Sequence, residues 1–289
     1  MLTRCLNSLS DITPAELCSV SVMVVDNDAG CSAAPIVNNF KGVFPFPLRY
    51  VSEIKRGIPY ARNRAIEETL GVGSDYLVFI DDDEYVEPGW LDALYSYSQK
   101  VGGKSVVHGS VIAELPDGTP AHIAGLFGGK LRPTGLKLSS CATDNVIIPA
   151  YVFGDLGLRF DETQPLAGGT DTKYFVEAVS RGVEIYQCSE AVVRETIPSS
   201  RATLKWLMRR KFRAGITEVW RKQRAGKSLV LIFLSAMLKL LVELARTAFF
   251  LVAGNSLRRN QSFLKVSKAS GVLAGLAGIN VDSYKVIDG

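Results

Sequence analysis

The chain has 289 residues, 47% of them apolar and 21% charged, which suits one large α/β domain with an appendage and argues against a disordered chain. Five scattered cysteines (Cys5, Cys18, Cys31, Cys141, Cys188), with no CxxC pair and an odd count, speak for a reducing compartment rather than a disulfide framework. Two isolated histidines, His108 and His122, argue against a His-rich zinc site, and the first eleven residues lack the apolar stretch of a signal peptide. The net charge of +4 is unevenly placed: residues 194–227 carry eleven basic side chains against Glu195 and Glu218, a local net of +9. Such a block suits a polyanionic partner, nucleic acid or an anionic membrane surface.

Leu2, Leu6 and Leu9 share one face of a predicted helix over residues 1–9. Residues 20–25 are an apolar run ending in Asp26-Asn27-Asp28, a buried strand running into a loop. A short strand follows at 48–51, then a helix at 60–70 stopped by Gly71 and Gly73. Residues 76–80 form a strand, and Pro88 opens a helix reaching about Ser98. Strands alternating with helices predict an α/β fold, its parallel or mixed sheet covered on both faces. Ligands in such sheets bind at the carboxyl ends of strands, where Asp26 and Asp81 fall.

Beyond residue 105 the pattern turns strand-like, at 105–113 and 145–153, with glycine-bearing loops between them at Gly125, Gly128 and Gly129. A helix over 171–181 is entered through 167–170, and short strands are expected at 183–186 and 191–193. After Pro198 come a basic helix, 199–224, and a long apolar one, 229–253. The expected organisation is a catalytic domain over 1–198 and a basic and apolar helical region over 199–289 that associates with membrane.

The cluster Asp81-Asp82-Asp83-Glu84, directly after an apolar strand, packs like charges within a few ångströms. A divalent cation relieves that repulsion, and Mg²⁺ reaches proteins through one or two carboxylates plus substrate phosphates. The plain alternative is an acidic cap before the next helix. A nucleotide-hydrolase reading fails because Arg221 stands where the first glycine of a phosphate loop ending at Gly226-Lys227-Ser228 belongs.

VVDND (24–28), GIPYARNRAI (57–66), LVFIDDDEYVEPGWL (77–91), TDNVIIP (143–149), RFDE (159–162) and GGTD (168–171) occur in an order that resembles the family 2 inverting glycosyltransferases of the GT-A fold. The resemblance covers roughly residues 1–215. It implies a Rossmann-like mixed sheet with helices on both faces, a nucleotide-sugar donor, and Mg²⁺ or Mn²⁺ bridging the donor's two phosphates. It implies further that Asp26 contacts the nucleotide base, that Arg62 and Asn63 lie at the donor, that Asp83 ligates the metal, and that Asp81 supports the ribose or metal. Helix N-termini and guanidinium groups both favour phosphate oxygens, in keeping with Arg62. Asp171 is the expected general base, because inversion needs a carboxylate to take the acceptor's hydroxyl proton. Family members usually show Glu-Asp there; this chain has Thr170-Asp171 and one carboxylate fewer.

The family normally opens with an apolar strand and a Pro-Thr-Tyr-Asn-like turn, whereas this chain begins inside the following helix, so an upstream start is expected. The segment 229–253 is long enough to span a bilayer but carries Lys239, Glu243 and Arg246 on one face. Interfacial attachment at the cytoplasmic face of the inner membrane is expected first, spanning second and a soluble helix third. The expected function is sugar transfer, with inversion, to a hydroxyl of a polysaccharide or lipid-linked oligosaccharide, without nucleic acid. A sugar nucleotidyltransferase and an inactive binding module are the alternatives.

Overall fold

The computed structural model describes residues 1–14, 18–127, 131–163 and 168–279. The expected glycines at 128 and 129, and residue 167, lie outside the described residues. Elements run α1 (Leu2–Ser10), β1 (Val22–Asp26), α2 (Ala34–Phe40), β2 (Leu48–Ser52), α3 (Ile58–Val72), β3 (Tyr76–Phe79), β4 (Glu84–Val86), α4 (Trp90–Lys100), β5 (Val106–Glu114) and α5 (Ala121–Ala124). There follow β6 (Val146–Pro149), α6 (Ala150–Phe153), α7 (Thr170–Ser180), β7 (Ile185–Thr196), α8 (Leu204–Arg224), α9 (Leu229–Val252) and α10 (Ser256–Leu276). The chain forms two compact units: Met1–Ile112, Lys130–Leu166 and Thr170–Thr196; and Ala113–Gly129, Ala167–Gly169 and Ile197–Gly289.

In the first unit β1 pairs with β2 in parallel, while a five-stranded sheet runs β3-β6-β5-β7-β4. Its β3–β6, β5–β6 and β4–β7 pairs are antiparallel, so the whole is mixed, as expected. Strand alternation sorts side chains to two faces. Met23 and Val25 of β1 join Leu77 and Phe79 of β3 in one apolar cluster, with Ile66 of α3 and Tyr174 and Phe175 of α7. Val22, Val24, Tyr76 and Val78 join the other, with Leu6 of α1 and Trp90 and Leu94 of α4. β1 and β3 thus feed the same two faces but share no ladder hydrogen bonds, each leaving an edge without a strand partner among the described residues.

Two expected strands change form. The run 145–153 is strand only to Pro149; Ala150 N then donates to Asp75 O at 2.8 Å and a helical turn begins. The two short strands over 183–193 are one, β7: buried Gln187 Nε2 donates to Gly109 O at 2.8 Å and Ser189 N to Thr134 Oγ1 at 2.8 Å, which pairs these donors of the polar middle.

In the second unit α8, α9 and α10 pack together, α10 lying within the helical region expected over 199–289 but without predicted bounds of its own. Close approach explains it: a Cβ on Gly271 would stand 2.0 Å from Phe212 O, and one on Gly215 2.2 Å from Lys268 O. Only glycine lets α8 and α10 touch backbone to backbone. Among the described residues no helix is long and apolar enough to cross a membrane, so the spanning alternative for α9 lacks support.

Candidate active site

The acidic turn after β3 faces the segment before β6. Antiparallel pairing sets Phe79 opposite Val146, so Asp81 and Asp83, leaving one strand, meet Asp144, entering its neighbour. Asp144 is held there by Asn145, whose φ of 135° is one that side-chain-bearing residues rarely adopt. Its amide compensates: Nδ2 donates to Ser110 O (3.0 Å) and Ala191 O (2.8 Å), and Oδ1 accepts from Trp90 Nε1 (2.8 Å). Gly109 makes room, since a Cβ there would stand 2.2 Å from Asn145 Nδ2.

His108 of β5 places Nε2 3.1 Å from Asp144 Oδ1. A carboxylate only accepts, so Nε2 carries the hydrogen, and Nδ1 is buried without a partner among the described residues. The sequence alone gives neither residue a role at the site: His108 stands isolated there, and Asp144 lies only within the TDNVIIP motif at 143–149. The available signal was Asp144 ending a polar stretch directly before the apolar run 146–149.

Arg62 of α3 crosses to α7. Its Nη1 donates to Thr170 Oγ1 at 3.1 Å and Asp171 Oδ1 at 3.2 Å, and its guanidinium lies 5.4 Å from the Phe160 ring centroid. Asp171 keeps a quarter of its side-chain surface open. Asp81 is exposed at the surface, with Arg62, Asp144, Asp83 and Asp171 as the charged groups around its carboxyl. Desolvation, against the pull of Arg62 and with Asp144, Asp83 and Asp171 adding repulsion, pushes its carboxyl up to about 7. Its open surface is what decides that water or a cation reaches it. Glu84, only 2% exposed, is driven to about 10 by burial and by Asp81, and Asp81 N donates to its Oε2 at 2.8 Å. Glu84 closes the turn through that hydrogen bond.

These residues fit a divalent cation. Among the described residues no three His, Cys, Asp or Glu side chains are set to hold a metal alone. Mg²⁺ and Mn²⁺ need only one or two carboxylates when phosphates supply further oxygens. Crowded carboxylates with Arg62 as their nearby cation are the donor set such an ion relieves.

Two expected donor residues are turned to the protein itself. Asp26 is 6% exposed; Oδ1 accepts from Asp28 N (3.0 Å), and Oδ2 from Ala33 N (3.0 Å) and Tyr50 Oη (3.0 Å). Those bonds brace the loop after β1, and any contact to a nucleotide base would have to add to them. Asn63 donates to Phe160 O (2.9 Å) and Glu162 Oε1 (2.7 Å) and accepts from Phe160 N (2.8 Å). It pins segment 160–162 through these bonds.

The model of the family described as glycosyl transferase family 2 matches residues 1–152. The succinoglycan biosynthesis protein ExoM of Rhizobium meliloti (strain 1021) is 31% identical over 287 residues, covering 98% of this chain and 91% of that protein. S. aureus TarS 1-349 in complex with UDP-GlcNAc superposes with a TM-score of 0.53 at 16% identity, over 73% of this chain and 62% of that one. GalNAc-T7 with UDP, GalNAc and Mn²⁺ gives 0.54 at 14% identity, over 72% of this chain and 44% of that one. This chain thus spans less than two thirds of either solved structure. At such identities they speak for the fold alone, which is GT-A.

Proposed function

The chain belongs to glycosyl transferase family 2, and from that premise we propose that it moves a sugar, with inversion, from a nucleotide-sugar donor to a hydroxyl of a polysaccharide or lipid-linked oligosaccharide. The observation that carries the reading is the meeting of Asp81, Asp83, Asp144, Asp171 and Arg62 at one end of the sheet. The named relatives support it: one is a succinoglycan biosynthesis protein, one is seen with UDP-GlcNAc, one with UDP and Mn²⁺. Membership of this family displaces the nucleotidyltransferase alternative.

Asp171 serves as the base. The acceptor oxygen forms its bond to C1 of the sugar while the C1–O bond to the diphosphate breaks, and the hydroxyl proton passes to the Asp171 carboxylate. Its place at the start of α7 tolerates the negative charge it carries before the transfer. Arg62 neutralises Asp171 at rest; a diphosphate offers the guanidinium a more highly charged partner and draws it toward the donor. A bound Mg²⁺ or Mn²⁺, held by Asp83 and Asp81, would offset the negative charge on the departing nucleoside diphosphate. His108 holds Asp144 beside them. Exposed leucines on α9 and the basic residues of α8 support attachment to an anionic membrane surface.

The test is a donor screen. The purified chain is incubated with UDP-, GDP- and TDP-sugars and Mn²⁺, and release of the nucleoside diphosphate is followed. Release with one donor, lost in Asp83→Ala, is expected. Absence of both release and nucleoside diphosphate binding by calorimetry would replace this reading with a binding module.

A further inference from the structure

The hairpin of α9 and α10 in the second unit encloses a cleft of about 100 Å³ lined by Arg246, Phe250, Arg258, Gln261, Ser262 and Lys265. That is well above the ~10–15 Å³ needed to admit one water. The lining comes from two stripes. Residues 246 and 250 are one turn apart on α9, and 258, 261, 262 and 265 follow the i, i+3, i+4, i+7 spacing on α10. Three cations here meet one carboxylate. Glu243, its side chain 10% exposed, accepts from Arg246 Nη1 at 3.2 Å and Lys265 Nζ at 3.3 Å on the same Oε1. Arg258 lies 5.7 Å from the Phe250 ring centroid. Two positive charges are left over, and Gln261 and Ser262 can add neutral donors. Guanidinium and ammonium groups with a positive surplus, fixed in place by a shared acid and an aromatic ring, suit a phosphate oxyanion.

The same helix tells which phosphate. Leu231, Leu234, Leu238, Leu241, Phe249 and Leu251 of α9 are each 55–66% exposed. A free anion has no use for such a surface, whereas a lipid brings acyl chains with its phosphate. We propose that the cleft between Arg246, Arg258 and Lys265 seats the phosphate of an anionic lipid whose chains lie along the exposed face of α9. The inference rests on the membrane part of the function proposed above and narrows it from diffuse attraction to a seat.

Two arms separate the seat from the attachment. Monomeric dihexanoyl phosphatidic acid is titrated by calorimetry into the full chain, into R258A/K265A, and into the charge-matched control K100A/K104A at exposed positions outside α8–α10. One lipid per chain, bound about 30-fold more weakly in R258A/K265A and within about threefold of wild type in the control, is expected from ~1 kcal/mol per basic residue. Unchanged release of the nucleoside diphosphate in both variants confirms folding. Equal losses in the two variants, no binding at all, or inorganic phosphate binding as tightly as the lipid would overturn the seat. In the second arm phosphatidylglycerol vesicles are compared with phosphatidylcholine vesicles. Failure to sediment with the anionic vesicles, with short-chain lipid still bound at the cleft, sinks membrane attachment and leaves the seat standing.

Discussion

Arg62 Nη1 stands 3.2 Å from Asp171 Oδ1, joining α3 to the first turn of α7. The residue expected to hold donor phosphate and the residue expected to take the acceptor proton are thus partners. Only 12% of the Arg62 side chain is exposed, so the pair is less screened than a surface one. Substrate binding would split it, which links arrival of the donor to release of the base.

Asp171→Asn removes the proton acceptor and leaves the fold of α7 intact. Turnover should fall by about 10²–10⁴-fold, while nucleoside diphosphate affinity stays near wild type. Initial rates and calorimetry check both parts, and full turnover in the variant would dismiss Asp171 as the base.

Arg62→Ala removes the charged donor. The KM for the donor should rise by about 10–100-fold, from ~1.5–3 kcal/mol for a hydrogen bond to a charged group. Arg62→Lys keeps the charge without the planar fork and should fall between the two. A KM unchanged in Arg62→Ala would limit the residue to pairing with Asp171.

Asn145→Ala strips partners from Ser110 O, Ala191 O and Trp90 Nε1 together. At ~1–3 kcal/mol for each buried group left unpaired, the loss should be about 3 kcal/mol or more. Urea unfolding monitored by Trp fluorescence measures it, and a midpoint within error of wild type would show that the network adds nothing.

Gly271→Ala places a methyl against the Phe212 carbonyl, where backbone rather than a yielding side chain must move. Overpacking of this kind costs about 1–3 kcal/mol. A lowered thermal midpoint is expected, whereas Gly254→Ala, with open space around the added carbon, carries only the strain of its φ of +68°.

Glu218 ties α8 to α10, its two oxygens 2.6 Å from Lys222 Nζ and from Lys268 Nζ. Burial alone raises its carboxyl, but hydrogen bonds and charge from the two lysines overcome that and hold it at about 2, below the ordinary 4.5. A depressed folded-state value means stability present above pH 4.5 and lost as pH falls toward 2. Thermal midpoints should drop across that window, and Glu218→Gln should flatten the drop. Identical pH profiles for the two proteins would dissociate Glu218 from acid unfolding.

The parts of the site legible in the sequence are those whose chemistry is local. Asp81 and Asp83 announce themselves as carboxylates ending an apolar run, and α1, α3, α4 and α7 follow from apolar spacing with their end signals. Asp144 was marked only as part of the TDNVIIP motif and without a role, because its importance comes from the Phe79–Val146 register, a pairing between segments some 67 residues apart. Asp26 and Asn63 were legible as polar residues at strand and helix ends, but not how their hydrogen-bonding capacity is used. Loop packing decides that by directing Asp26 to Ala33 and Tyr50, and Asn63 to Phe160. The bounds of α10 and its contact with α8 were not legible, because that contact depends on the absence of side chains at Gly215 and Gly271, which no hydrophobic period reveals.

By itself the sequence determined the α/β class, the family and the acidic strand end, since these depend on residue type and short-range order. Only the tertiary structure decided which carboxylates lie together, that Arg62 binds the Asp171 carboxylate, and that three cations of α9 and α10 converge on one small cleft. Each of those is a distance between side chains far apart in the chain, and electrostatic energy depends on distance and burial, which composition does not encode.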